Sequence, residues 1–185
     1  MHIDRFLWFE SMAAGITPDP LLLVLALLCA SYGAWASVAV LGWVAWRHPH
    51  QRLYVLATLA ACGVAAMLAH WLAASLDLPR PFMLGLSPAY LSHGARGSLP
   101  SAHASVMFSA AFILIARRPL RANGLLLALI ALVTGWARVY VGVHFPMDIG
   151  AGIGLALGIT GLFVLTQVLL RQAIPQRQAT TAERT

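Results

Sequence analysis

Five long apolar runs dominate this 185-residue chain and limit what it can fold into. They cover residues 21–46, 53–76, 102–116, 123–143 and 149–170, approximately. About 20 apolar residues are enough to cross a bilayer as a helix. Only 10% of the residues are charged, whereas a soluble domain carries about 25%. This excludes a disordered chain, a disulfide scaffold and nearly every water-soluble fold, and it predicts an all-α integral membrane bundle of about five transmembrane helices.

The polar ends divide the chain into three parts. Residues 1–19 mix acids, an arginine and aromatics, which predicts an interfacial helix with Phe6, Trp8 and Phe9 at the headgroup level. Residues 20–170 form the predicted membrane-embedded domain, and residues 171–185 a polar cytoplasmic tail. Cys29 and Cys62 lie inside apolar runs, so we expect two small hydrophobic residues rather than a disulfide or a metal pair.

The arginines predict the orientation. The formal net charge is +6, but the arginines lie between apolar runs and form no basic face for a nucleic acid. Eight of the twelve fall on one side of the predicted bundle: Arg47, Arg52, Arg117, Arg118, Arg121, Arg171, Arg177 and Arg184. By the positive-inside rule that side is the cytoplasm. The N-terminus is then outside, together with the non-apolar stretches 77–101 and 138–148.

One outer motif suggests a histidine nucleophile. His144 and Asp148 are four residues apart, and Pro146 suits the first turn of a helix, so both side chains lie on one face. A carboxylate that accepts a hydrogen bond from one ring nitrogen leaves the other as a nucleophile or base. Arg138 adds a planar fork suited to phosphate oxygens. An interfacial histidine with its own salt-bridge partner explains this motif equally well when it is taken alone.

A second motif opens the third run. Ser101 is a good N-cap, and the N-terminus of a helix is an anion site. His103 in the first turn could act as a general acid, although a plain helix cap with an incidental histidine is the simpler interpretation. The run itself is short: 15 residues reach about 22 Å of a core about 30 Å thick. Arg80, in a Pro-Arg-Pro turn, joins these groups on the outer side, and together they predict a phosphate site.

These motifs resemble a known family. Arg80-Pro81, Pro100-Ser101-x-His103 and Arg138-x5-His144-x3-Asp148 are similar to the three-part signature of the type 2 phosphatidic acid phosphatase superfamily. The wider stretch 79–86, with His93, looks like the branch of bacitracin-resistance-type undecaprenyl-diphosphate phosphatases. The resemblance runs from about residue 20 to 170, and all three motifs in order are very specific.

The resemblance implies a mechanism at the periplasmic face. His144 would form a phosphohistidine, with Asp148 orienting it and His103 protonating the leaving oxygen. Arg80, Arg138 and Ser101 would hold the phosphoryl oxygens, and Ala102 would offer its backbone amide. No metal or other cofactor is implied. The substrate would be a lipid, undecaprenyl diphosphate, whose hydrolysis recycles the carrier of cell-wall precursors.

One departure from the family affects substrate choice. The superfamily has a lysine seven residues before the arginine of the first motif, where this chain has Ala73. His93 or Arg96 could supply the missing binding group, and His70 lies one helical turn away. Four alternatives remain open: another phospholipid phosphatase, a lipid A phosphotransferase, a non-catalytic lipid-phosphate binder and a purely structural membrane protein. The oligomeric state is not predicted.

Overall fold

The computed structural model describes the backbone of residues 3–94 and 97–182, and side chains within 8–94 and 97–173. Six α-helices and three short 3-10 turns make up its secondary structure, and the described residues contain no strand. The helices are α1 (Ile3–Met12), α2 (Pro20–Arg47), α3 (Arg52–Leu76), α4 (Ala102–Ala116), α5 (Arg121–Tyr140) and α6 (Pro146–Ala182). The predicted all-α class is confirmed.

The apolar runs became helices α2 to α6. Within the described residues, four stretches are long and apolar enough to cross a membrane, and they contain α2, α3, α5 and α6. The 15-residue α4 is apolar but shorter, as predicted. Asp19 fixes the start of α2, because its Oδ1 accepts a hydrogen bond from Leu22 N at 2.8 Å. The chain is a multi-pass membrane protein.

The short helix α4 forms the centre of the bundle. It packs against α3, α5 and α6, and nine of its 15 residues are buried. Gly152 of α6 allows close approach, because a Cβ there would overlap the Ala104 side chain. The longer helices turn large apolar side chains outward, as expected where lipid is the solvent. Both cysteines are free, as predicted, and Cys62 is buried in the core.

Helix α5 ends before the fourth apolar run does. Its last residue is Tyr140, and residues 141–145 form a buried loop. Gly142 adopts a positive φ of 79°, a conformation that side chains other than glycine rarely accept. A Cβ at this position would also overlap Ser87. Apolar composition continues past the helix because Val141 and Val143 are core residues.

Helix α1 supports that loop from the other side. Trp8 is 70% exposed, but Phe9 is only 1% exposed, and its ring meets Phe145 edge to face at 5.4 Å. Ala14 N donates to Tyr140 O at 2.9 Å, which holds the end of the segment on α5. The headgroup prediction was therefore wrong for Phe9, because this aromatic side chain packs on the protein. Phe6 lies outside the residues whose side chains are described.

Candidate active site

His144 and Asp148 form a buried pair. His144 lies in the loop after α5 and is 3% exposed, while Asp148 in the first turn of α6 is fully buried. His144 Nδ1 is 3.3 Å from Asp148 Oδ2. The same oxygen accepts a hydrogen bond from Phe145 N at 2.8 Å, so the carboxylate also caps the start of α6. This arrangement favours the tautomer with the proton on Nδ1, which leaves the lone pair on Nε2.

Arg80 lies beside that Nε2. Its Nη1 donates to Val143 O at 2.8 Å and is 3.4 Å from His144 Nε2. Its Nη2 donates to Gly97 O at 3.3 Å. One guanidinium therefore joins the first motif to the loops that carry the other two, and it places a cation next to His144 Nε2.

The surroundings keep His144 neutral. Burial lowers its pKa from the usual value of 6.5 to about 4, and the positive charges of Arg138 and Arg80 add to that effect. The hydrogen bond from His144 to Asp148 opposes the shift but does not cancel it. At neutral pH the ring is therefore uncharged, which is the state that a nucleophile requires.

Ser98 was not predicted as a site residue. Its hydroxyl donates to Asp148 Oδ2 at 2.6 Å, and Ser98 is fully buried. No motif or spacing in the sequence distinguishes Ser98 from other serines in the loop. Only the fold could identify it, because the two partners are 50 residues apart in the chain.

Arg138 is a second buried arginine whose charge acts on His144. It is 3% exposed, and its Nη1 donates to Ala30 O at 3.0 Å. Its Nε is buried and has no hydrogen-bond partner among the described residues. A buried donor without a partner is costly, and the contact of Arg138 with a phosphoryl oxygen stays a prediction. Arg138 does not line the cavity described below.

The second motif caps α4. Ser101 is fully buried, and its Oγ accepts a hydrogen bond from Ala104 N at 3.4 Å. Its own N donates to Asp148 O at 3.0 Å, which connects the start of α4 to the third motif. Ala102 and His103 follow in the first turn, and both line the cavity. Ser101 does not, so the direct phosphate contact assigned to its side chain stays a prediction.

A cavity of about 450 Å³ opens in front of His144. Five polar side chains line it, those of His70, Arg80, His93, His103 and His144, together with small and apolar residues: Ala34, Ala66, Ala69, Ala73, Ala74, Val106 and Met107. Along α3 the lining runs from Ala66 to Ala73, which is about 10 Å at 1.5 Å per residue, and it is apolar except for His70. The cavity therefore suits a molecule with an anionic head and an apolar chain.

His93 and His70 lie at two different places on this cavity. The His93 ring centroid is 6.0 Å from that of His144, so the structure brings these two predicted residues together. Burial, with the charges of Arg80 and Arg138, lowers the pKa of His93 to about 4. His70 is anchored by its Nδ1, which donates to Ala66 O at 2.7 Å. Arg96, the remaining predicted residue, lies outside the described residues.

The family follows from comparison with known proteins. The model of the PAP2 superfamily matches residues 52–172, which is more than half of the chain. The chain therefore belongs to the PAP2 superfamily and is a membrane phosphatase of that class.

Two relatives of this chain have names that refer to a substrate. The chain is 32% identical over 150 residues to YbjG of Escherichia coli (strain K12), which is provisionally named an undecaprenyl-diphosphatase; the match covers 81% of this chain and 69% of YbjG. It is 30% identical over 110 residues to the undecaprenyl-diphosphatase BcrC of Bacillus subtilis (strain 168). That match covers 59% of this chain and 56% of BcrC.

Two crystal structures share the fold. LpxE of Aquifex aeolicus superposes with a TM-score of 0.69 at 23% identity, over 84% of this chain and 92% of LpxE. A PAP2-type phosphatidylglycerolphosphate phosphatase of Bacillus subtilis superposes with a TM-score of 0.64 at 22% identity, over 90% of this chain and 96% of that one. At these identities the likeness supports the fold alone.

Proposed function

We propose that this chain is a lipid phosphatase that hydrolyses undecaprenyl diphosphate to undecaprenyl phosphate and inorganic phosphate. The observation that carries the proposal is the orientation of His144: Nδ1 meets Asp148, while Nε2 lies 3.4 Å from Arg80 Nη1 on a cavity that small and apolar residues also line. The names of the two relatives support the diphosphate substrate. The apolar wall along α3 supports a lipid chain over a soluble phosphate ester.

The proposed reaction has two steps. His144 Nε2 attacks the terminal phosphorus, a P–N bond forms and the bridging P–O bond breaks, while His103, which the bound diphosphate keeps protonated, donates a proton to the leaving oxygen. Water then attacks the phosphohistidine and gives a proton back to His103, and the P–N bond breaks to release phosphate. Asp148 stabilises the positive charge that develops on the ring.

The oxyanion is held by groups from all three motifs. Arg80 lies next to Nε2, and the buried Nε of Arg138 offers a donor that a phosphoryl oxygen would satisfy. The backbone amides of Ala102 and His103 belong to the first turn of α4, where N–H groups have no partner within the helix. Ser101 contributes by capping that turn. His93 is the described residue best placed to compensate for Ala73, and Arg96 is a second candidate from the same loop.

Phosphate release from undecaprenyl diphosphate in detergent tests the proposal. We expect release by the wild type and by the control His50→Ala, an exposed histidine away from the cavity, in the presence of EDTA. His144→Ala should release none, and a wild-type phosphoprotein that is labile to acid and stable to base should accumulate in a rapid quench. Release from phosphatidic acid but not from the diphosphate would contradict the proposed substrate. Transfer of phosphate to lipid A without free phosphate would contradict hydrolysis.

The proposed orientation needs its own test. The charge distribution supports an active site on the outer face of the bacterial inner membrane. Ser92→Cys and Ala122→Cys place thiols at exposed positions, one on the loop beside the site and one at the start of α5. A membrane-impermeant thiol reagent should label Ser92→Cys in intact cells or spheroplasts, and Ala122→Cys only after lysis. The reverse pattern would contradict the proposed orientation.

A further inference from the structure

The carboxylate of Asp148 is held by more than the nucleophile. Its Oδ2 accepts hydrogen bonds from Ser98 Oγ at 2.6 Å and Phe145 N at 2.8 Å, whereas His144 Nδ1 is farther away at 3.3 Å. The two short bonds determine where this oxygen lies, and the histidine ring aligns to it. Bonds to a carboxylate of this length are charge-assisted and strong.

Ser98 is itself fixed by the backbone around it. Its N donates to Leu78 O at 2.8 Å, just before the Pro-Arg-Pro turn. The preceding residue, Gly97, packs on the end of α3, where a Cβ would overlap Ala73 O, and Gly97 O accepts the Nη2 of Arg80. Two adjacent residues thus contact the arginine of the first motif and the carboxylate of the third.

We propose that Ser98 is a positioning residue for catalysis, which holds Asp148 Oδ2 in line with His144 and shares its negative charge. Ser98 does not line the cavity, so it acts through Asp148 and not on the substrate. The proposal rests on the proposed hydrolysis by His144. Without the hydroxyl, Phe145 N still holds the oxygen, but the carboxylate gains rotational freedom and more charge faces His144.

Two kinetic consequences follow for Ser98→Ala. The kcat should fall by about ten-fold to a hundred-fold, the range of a hydrogen bond to a charged group, and KM should change little. The carboxylate then accepts one hydrogen bond fewer and stabilises the imidazolium of His144 more strongly. The acid limb of the pH–rate profile should therefore move to higher pH. A purely structural loss would lower the amount of active enzyme without moving that limb.

Matched variants separate this role from general packing. Ser109→Ala also removes a fully buried hydroxyl, one that donates to Ser105 O at 2.7 Å within α4, and it should leave the pH profile unchanged. Ser98→Thr keeps the donor and should restore most of the rate. If the extra methyl group prevents folding, Ser98→Cys retains a weaker donor at similar volume and should give an intermediate kcat.

A readout independent of turnover distinguishes this inference from the proposed function. The His144 ring can be titrated by NMR in detergent, with His144→Gln used to assign its signals. A higher pKa of His144 in Ser98→Ala than in Ser109→Ala is the expected result. An unchanged or lower pKa, or equal kcat losses in the two alanine variants, would overturn the role of Ser98. A wild type that releases no phosphate but shows the shift would overturn the proposed function alone.

Discussion

Acid should destabilise the empty enzyme within a pH window that His144 sets. Its pKa is about 4 in the folded protein, against 6.5 for an ordinary histidine. Because the folded-state value is the lower one, the unfolded chain takes up the proton first as the pH falls. The stability that the neutral His144 ring contributes to the folded protein is therefore fully present above pH 6.5, and it is lost as the pH falls towards 4.

The size of the effect follows from the two pKa values. At pH 5 the difference in proton binding costs about 2 kcal/mol of folding free energy, and the loss approaches about 3 kcal/mol below pH 4. Because His144 is almost fully buried, this needs little reduction for solvent screening. For a chain of this length, about 2 kcal/mol corresponds to a Tm lower by about 4–8 °C.

Thermal unfolding in detergent measures this loss of stability in acid. The Tm of the wild type, His144→Gln and the exposed control His50→Gln would be compared at pH 7.5 and pH 5. We expect His144→Gln to lose less Tm between these two values than the other proteins, because it has no ring to protonate. His93 also has a pKa of about 4, but it is more accessible to solvent, so His93→Gln should remove a smaller part of the loss.

Added inorganic phosphate provides the internal check. An anion beside Nε2 stabilises the imidazolium, so saturating phosphate should reduce the Tm loss of the wild type and leave His144→Gln unaffected. Equal Tm losses in the wild type and His144→Gln, with or without phosphate, would refute the assignment of the buried, neutral ring.

Three further substitutions test the site and its supports. Asp148→Asn should lower kcat by about a thousand-fold or more and leave KM unchanged, because the amide cannot stabilise the charged ring. Steady-state rates of phosphate release at several substrate concentrations measure both constants. Phe9→Ala should destabilise the protein by about 3–5 kcal/mol and lower kcat, because it removes the ring that packs on Phe145; an unchanged Tm would contradict that role. Gly152→Val should lower both Tm and kcat, because its Cβ would push against Ala104 at the start of α4; activity and unfolding would be measured on the same preparation.

The helices could be predicted from the sequence because apolar run length is a direct consequence of bilayer thickness. Their ends could not, where loop and helix are equally apolar. Val141 and Val143 continue the apolar pattern beyond Tyr140, yet they belong to a buried loop whose turn depends on Gly142. Apolar composition predicts that a segment is buried, but only its backbone geometry distinguishes a buried loop from a buried helix.

The contacts of the site could also be predicted only in part from the sequence. His144 and Asp148 could be paired from their spacing of four residues, although the expected shared helical face was wrong, because His144 lies in the loop before α6 and only Asp148 is in the helix. Ser98 could not, since its contact with Asp148 depends on how a loop packs against another helix. The headgroup prediction for Phe9 failed for the same reason. An aromatic residue near the surface of a membrane can face the headgroups or pack on the protein, and its partner Phe145 is distant in sequence.

The requirement for arginine at position 80 is architectural as well as electrostatic. Guanidinium carries five N–H donors in a rigid fork, and here Nη1 and Nη2 reach carbonyl oxygens in two separate loops, those of Val143 and Gly97. The same group places a positive charge 3.4 Å from His144 Nε2. A lysine could supply the charge, but a single ammonium cannot maintain both loop contacts in this geometry. The position of His144 therefore depends on the shape of the Arg80 side chain, and charge alone is not sufficient to explain this motif.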